Sequence, residues 1–320
     1  MSPLVLASFG FVIAGLCAAI MGYAIQRGAT CMVAAVTEVV EQRRANRIIA
    51  LGEAAVWVTG GVLLWRMLGG QIALPIGYPA TLTTVAGGLL LGLGALVCRA
   101  CVFGALARLG SGEWAYVLTP LGFFLGCASL WPLIRHLPPM HVASPLLAVP
   151  DPFAPVLLAP FALFAVWRMS AAWQAGRAGM LGAHVWDPHN ATAVIGIAFT
   201  VLLVLAGPWA YTSALSALAM GRAVNLPMRI ALLGALLAGA LAGGWTAGRL
   251  KPRLPTVAAA GRCLIGGILM GWGSLLIPGG NDDLLLLGLP MLQPYAMLAA
   301  ASMVVAIALG LMIERRLFIR

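Results

Sequence analysis

The 320-residue chain is 62% hydrophobic and 9% charged, which leaves too little polar surface to coat a soluble globule of this length and points to an integral membrane protein. Its net charge of +10 comes from 19 Lys and Arg scattered between apolar runs and not gathered on one face, so membrane orientation explains the charge and no nucleic-acid partner is expected. The apolar runs lack the short alternation of an outer-membrane barrel, and the expected class is an all-α polytopic membrane protein.

The run from Leu4 to Ile25 is long enough to cross and lacks the short core and small-residue cleavage site of a secretory leader, so it reads as the first span. With a crossing of about 20 residues as the ruler, further spans fall near 48–68, 82–98, 114–134, 153–170, 192–207, 229–248, 262–277 and 294–313, nine in all. Four shorter apolar pieces each follow a span directly: Thr30 to Glu41, Val102 to Leu109, Tyr211 to Met220 and Asp283 to Leu289. Too short to cross, they read as re-entrant half-helices.

With the N-terminus outside, fifteen of the 19 basic residues fall on the cytoplasmic side and only Arg66, Arg135, Arg222 and Arg229 on the other. This bias predicts an N-outside, C-inside protein of a bacterial inner membrane. An internal repeat agrees. Shifting the stretch Gly87 to Leu106 by 179 positions matches seven of twenty residues, among them Gly87 with Gly266 and Gly94 with Gly273. Five spans separate the copies, an odd number, so the two halves should be inverted. A weaker echo pairs Gly15 to Cys31 with Gly196 to Thr212. The expected organisation is a first half over 1–150, a connecting span and loop over 151–190, and a second half over 191–320.

Spans and short pieces are separated by four breaks: Gln26 to Cys31, Cys98 to Cys101, Pro208 to Thr212 and Pro278 to Asn281. Irregular backbone at membrane depth is tolerated only in protein or beside a water-filled cavity, so the breaks should converge on one site. Half-helix N-termini carry unsatisfied N–H groups and a positive dipole end, which suit an anion. Gly28, Gly279 and Gly280 would let a ligand approach the backbone, whereas the ladder Gly87, Gly88, Gly92, Gly94 and its copy reads as helix packing. Arg27 and Arg99 have two readings, anion attraction and snorkelling to the interface, of which snorkelling is favoured.

The cysteines Cys17, Cys31, Cys98, Cys101, Cys127 and Cys263 lie in or beside apolar segments, which argues against a disulfide framework. Cys31 and Cys101 stand apart because both start a half-helix. Cys98 and Cys101 form a CxxC, but without the strand context of a thioredoxin-like centre. His136, His141, His184 and His189 fall in expected loops, so a haem is not expected, and no cofactor or metal set is evident. Of the carboxylates, Glu41 and Glu113 read as solvated, Glu53 as a partner for an arginine of the neighbouring loop, and Glu38 as a packing or polar-network residue. Asp282 and Asp283 read as caps of the last half-helix near the outer face.

The stretches GYAIQRGATCMVAAV at 22–36, GGLLLGLGALVCRACVFGALARLGSGE at 87–113, GPWAYTSAL at 207–215 and GRCLIGGILMGWGSLLIPGGN at 261–281 together resemble the YeeE/YedE family, which includes bacterial thiosulfate uptake transporters. The resemblance implies a nine-span inverted-repeat fold whose short helices meet at a constriction lined by loop cysteines. Carried over by position, Cys101 and Cys31 are the matching thiols and Thr212 lies in the Pro-Trp-containing break. Where the family typically has Gly-Cys-Asn, this chain has Gly279-Gly280-Asn281, so the outer thiol is missing. The expected function is uptake of a small sulfur-containing anion such as thiosulfate, without covalent chemistry, past Cys31, Cys101, Thr212, Gly279, Gly280 and Asn281. The expected partners are that solute, the lipid bilayer and, as a further candidate, a soluble sulfur-carrier protein on the cytoplasmic side. The alternatives are a membrane thiol oxidoreductase working through a Cys98–Cys101 disulfide, and a non-transporting partner subunit.

Overall fold

Backbone N–H and C=O groups in hydrocarbon must be satisfied within their own segment, so the long apolar runs wind into helices. The computed structural model describes residues 3–72, 77–136, 141–146, 154–177, 179, 185–222 and 225–318. The helices are α1 (Pro3–Arg27), α2 (Met32–Gln42), α3 (Asn46–Met67), α4 (Leu82–Cys98), α5 (Val102–Gly110), α6 (Leu118–Ile134), α7 (Ala154–Arg177), α8 (Pro188–Ala206), α9 (Tyr211–Ala219), α10 (Leu226–Thr246), α11 (Val257–Leu276) and α13 (Pro294–Phe318). The short α12 begins as Asn281–Asp283 and runs into a π-helical turn, Leu284–Gly288. Nine stretches among the described residues are long and apolar enough to cross a membrane, and no strand is described. The chain is therefore a multi-pass helical membrane protein.

Lipid is as apolar as leucine, so helices in it associate by close backbone approach at small residues. The glycine ladder does this in two directions. Against α11, Gly87 meets Gly273 and Gly94 meets Gly266, so α4 and α11 run antiparallel. Against α13, Gly88 meets Ala299 and Ser302, and Gly92 meets Met303 and Ala306. On the copy, Gly267 meets Thr119 and Gly122 of α6, and Gly271 meets Phe123 and Gly126. Other pairings follow the same exchange. Thus α1 packs on α10 and α8 on α3, while α6 packs on α9 and α13 on α2.

The connecting span α7 is held more lightly. Leu163, Val166, Trp167 and Trp173 are exposed, while Phe161 and Phe164 pack on Trp57 of α3 with ring centroids 5.8 and 5.6 Å apart. Its polar tie is the Glu53 carboxylate, which pairs with Arg168 at 3.3 Å and with His189 at 3.0 Å. Glu53 therefore finds its arginine on the fifth span and not in the neighbouring loop. His189 correspondingly sits in the first turn of α8 and not in a loop, while His184 lies outside the described residues.

Candidate functional site

Each break starts where a helix is stopped by its own backbone. After α1, Ala29 adopts φ 46°, and the amides of Ala29 and Thr30 turn back onto the carbonyls of Gln26 and Ile25. After α4, Arg99 adopts φ 58° and the amides of Arg99 and Ala100 bond to Leu96 and Ala95 in the same pattern. This is the Schellman stop, here with Ala and Arg in the left-handed position usually given to glycine. After α11, Gly279 has φ 154° and its amide bonds to Ser274 at 2.8 Å. Each chain then restarts as a short helix with Cys31, Cys101, Ala210 or Gly280 at its N-cap.

In the first half the two thiols meet. The amide of Met32, first residue of α2, donates to the Cys101 sulfur at 3.1 Å, so the thiol of one break caps the helix of the other. Cys31, the N-cap residue of that helix, makes no side-chain capping hydrogen bond of its own. A side chain at Gly104 would strike the Cys31 sulfur, which explains the glycine there. The Cys101 sulfur thus takes a backbone N–H donor at a helix start, the kind of donor that holds anions in other folds.

At the starts of α9 and α12 the backbone donors are already taken by carboxylates. Asp282 accepts from the Thr212 amide at 3.1 Å and contacts the Thr212 hydroxyl as well. Asp283 accepts from the Thr212 hydroxyl at 3.1 Å and from the Gly280 amide at 3.1 Å. Asp283 is therefore a cap, as read from the sequence, but both acids are buried and Asp282 caps α9 across the seam. Space for a side chain at Gly280 is filled by Thr212, and at Gly28 by Ala191 of α8. These glycines admit protein neighbours. Tyr211 joins the halves, its hydroxyl donating to the Val102 carbonyl at 3.2 Å.

A cavity of about 1110 Å³ runs inward to Cys31 and Gly104, past Gln26, Ser111 and Arg108. Arg47, Arg99, Arg249 and Arg315 line it together with Glu38, Glu41 and Glu314. Cys31 is partly accessible at its floor, whereas Cys101 is fully buried. Arg99 is exposed and pairs with Glu314 at 3.6 Å, which fits an interfacial anchor. Arg27 does not snorkel. It is buried between Tyr23 and Trp186, its guanidinium 5.6 and 5.7 Å from their ring centroids. Glu38 pairs with Arg47 at 3.4 Å, Glu113 with Arg108 at 3.3 Å, and Glu41 is exposed.

The CxxC cysteines face different neighbours. Cys98 contacts the Thr119 hydroxyl at 3.2 Å, while Cys101 turns to Met32. All six cysteines are free thiols; Cys17, Cys127 and Cys263 are buried, and the Cys127 thiol donates to the Gly271 carbonyl at 3.5 Å and contacts the Ser274 hydroxyl at 3.6 Å. Among the described residues no set of three or more His, Cys, Asp or Glu is arranged to hold a metal. Sequence reasoning placed Gln26 and Tyr211 inside breaks without giving either a role, and it passed over Ser111, which carried no signal of its own.

Against known families, residues 27–309 match the family described as Sulphur transport. The chain belongs to the sulphur transport (YeeE/YedE) family. Among curated proteins none matches the chain. Family and fold together make it a multi-pass membrane transporter of a sulfur compound, and the match extends from the first break through the last.

Proposed function

We propose that this sulphur transporter carries thiosulfate or a closely related sulfur anion inward across a bacterial inner membrane, through a constriction formed where the four short helices meet. One observation carries the reading: the Cys101 sulfur accepts from the amide of Met32, the residue next to Cys31, and Cys31 itself lines the cavity. Thiosulfate has a hard, charged sulfonate end and a soft terminal sulfur. Backbone N–H groups at helix starts offset the charge, while the S–H groups are weak donors suited to the soft end. Entry of the anion would replace the Cys101 sulfur on the Met32 amide, so a donor already aligned passes from thiol to substrate. Thr212, Gly279, Gly280 and Asn281 form the opposite wall of this constriction. No covalent step is required.

The short helices are taken as re-entrant and the halves, 1–150 and 191–320, as an inverted repeat joined by the span and loop at 151–190. Three features support this. Counterparts α4 and α11 cross antiparallel. The register of the repeat is kept in the packing, since Gly87 on Gly273 exchanges with Gly266 on Gly94. Helix pairings also survive exchange of the halves. An N-outside, C-inside orientation is supported by the cavity, whose arginines all belong to the set assigned to the cytoplasm. A cavity of 1110 Å³ is far larger than a small anion and has room for a segment of a soluble sulfur carrier.

Uptake of labelled thiosulfate into cells lacking other sulfate and thiosulfate importers tests the reading. Expression should raise uptake well above the empty-vector level. Equal uptake with and without the protein contradicts the substrate assignment.

A further inference from the structure

Outside the residues that line the cavity, one side chain links the residue after Cys101 to the helix start held by the acid cluster. Tyr211, the first residue of α9, donates from its hydroxyl to the carbonyl of Val102, the first residue of α5, at 3.2 Å. We propose that Tyr211 is the gate on the far side of the constriction, the residue that swings away when the sulfur anion passes between the outer face and Cys101. The inference rests on the transport reading above and assigns it a moving part.

Cys31 and Gly104 line the cavity, whereas Ala100, Cys101 and Val102 do not and are at most 1% exposed. A path to the far face must therefore open at this seam. The neighbouring wall is tied down: the Thr212 amide and hydroxyl and the Gly280 amide are all engaged by the buried carboxylates of Asp282 and Asp283. Tyr211 is held across the seam by a single neutral hydrogen bond, weaker than bonds to charged acceptors. It is the group that can yield while the wall stays.

In the two neighbouring breaks, two buried polar atoms find no partner among the described residues: the indole Nε1 of Trp209 and the side-chain oxygen of Asn281, in residues 2% and 3% exposed. Buried polar groups ordinarily find partners, and these two gain them once the seam admits water or an anion. The opening force is also on hand. An anionic oxygen is a stronger acceptor than the Val102 carbonyl, so the Tyr211 hydroxyl released from Val102 bonds to the anion. The substrate thereby interacts more favourably with the open state, as any ligand that shifts a two-state equilibrium must.

The test is thiol labelling of the full-length protein in oriented membrane vesicles, with a charged, impermeant methanethiosulfonate and peptide mapping of Cys101. Reagent added to the face opposite the cavity should leave wild-type Cys101 unmodified. Tyr211→Ala should be labelled there at least about tenfold faster, the equivalent of losing one hydrogen bond and its ring, with Tyr211→Phe intermediate. Labelling of Cys31 from the cavity face should be the same in all three and reports that the fold is intact. Should the alanine variant fail that check, the phenylalanine variant decides: faster labelling supports the gate and an unchanged rate overturns it. Cys101 protection unaltered in both folded variants likewise overturns the proposal. Labelling needs no substrate, so failure of wild-type thiosulfate uptake would remove the substrate assignment and leave the gate standing.

Discussion

Gly94 and Gly266 lie against each other's backbone, so that a side-chain carbon added to either would stand 2.6 Å from the carbonyl oxygen of the other. Gly87 and Gly273 also face one another. Both contacts lie on the α4–α11 crossing. Gly94→Ala or Gly266→Ala should destabilise the protein by about 1–3 kcal/mol through overpacking. Gly234→Ala on α10, where nothing lies within 4 Å, should be neutral or slightly stabilising because alanine favours helix. Thermal unfolding midpoints in detergent separate these outcomes, and equal midpoints for Gly94→Ala and Gly234→Ala would contradict the packing role.

Thr212 serves two buried carboxylates with one hydroxyl. Thr212→Val keeps the volume and removes the donor, which should lower stability by about 1–3 kcal/mol as buried acceptors lose a partner. Thr212→Ser should retain most of it. If the valine variant melts with the wild type, the acids are satisfied in another way.

The thiols should differ in consequence. Cys31→Ala or Cys101→Ala each removes a sulfur from the constriction and should slow sulfur-anion uptake by roughly twofold to tenfold, the range of one weak hydrogen bond. Cys98→Ser keeps a polar contact to Thr119 and should transport like the wild type. Initial uptake rates at matched expression decide this, and a loss with Cys98→Ser as large as with Cys101→Ala would bring the CxxC back as a unit.

Much of this arrangement was legible in the sequence and part was not, for a physical reason. Spans and breaks are written in one dimension: a run near 20 residues must cross, and Gly28-Ala29 or Cys98-Arg99 must interrupt it. The glycine ladder was legible too, since small residues repeated at helical spacing have few other uses in lipid. What one dimension cannot carry is which groups meet across the seam. The Met32 amide and the Cys101 sulfur are 69 residues apart, and Thr212 and Asp282 are 70 apart. Asp282 and Asp283 were read as caps, and their burial beneath Thr212 follows from how the halves dock, which no local pattern encodes. Arg27 was read as an anchor reaching for water, but two aromatic rings from separate segments hold it inside.

The lightly packed α7 offers a further check. Glu53 ties it to α3 through Arg168 and to α8 through His189. Glu53→Gln leaves an arginine whose side chain is only 12% exposed without its charge partner and should destabilise by about 3–5 kcal/mol. Limited proteolysis should then cut near α7 faster than in the wild type. Unchanged cleavage would mean that the aromatic contacts to Trp57 hold the span alone.

The central claim is that the paired thiols of Cys31 and Cys101 line the path of a sulfur anion. Its most direct test is flux of labelled thiosulfate into proteoliposomes holding only the purified protein, compared with sulfate and with the Cys31→Ala/Cys101→Ala double variant. The account predicts thiosulfate flux above protein-free liposomes, little sulfate flux, and loss of the thiosulfate flux in a double variant that still folds. Thiosulfate flux undiminished without both thiols would contradict it.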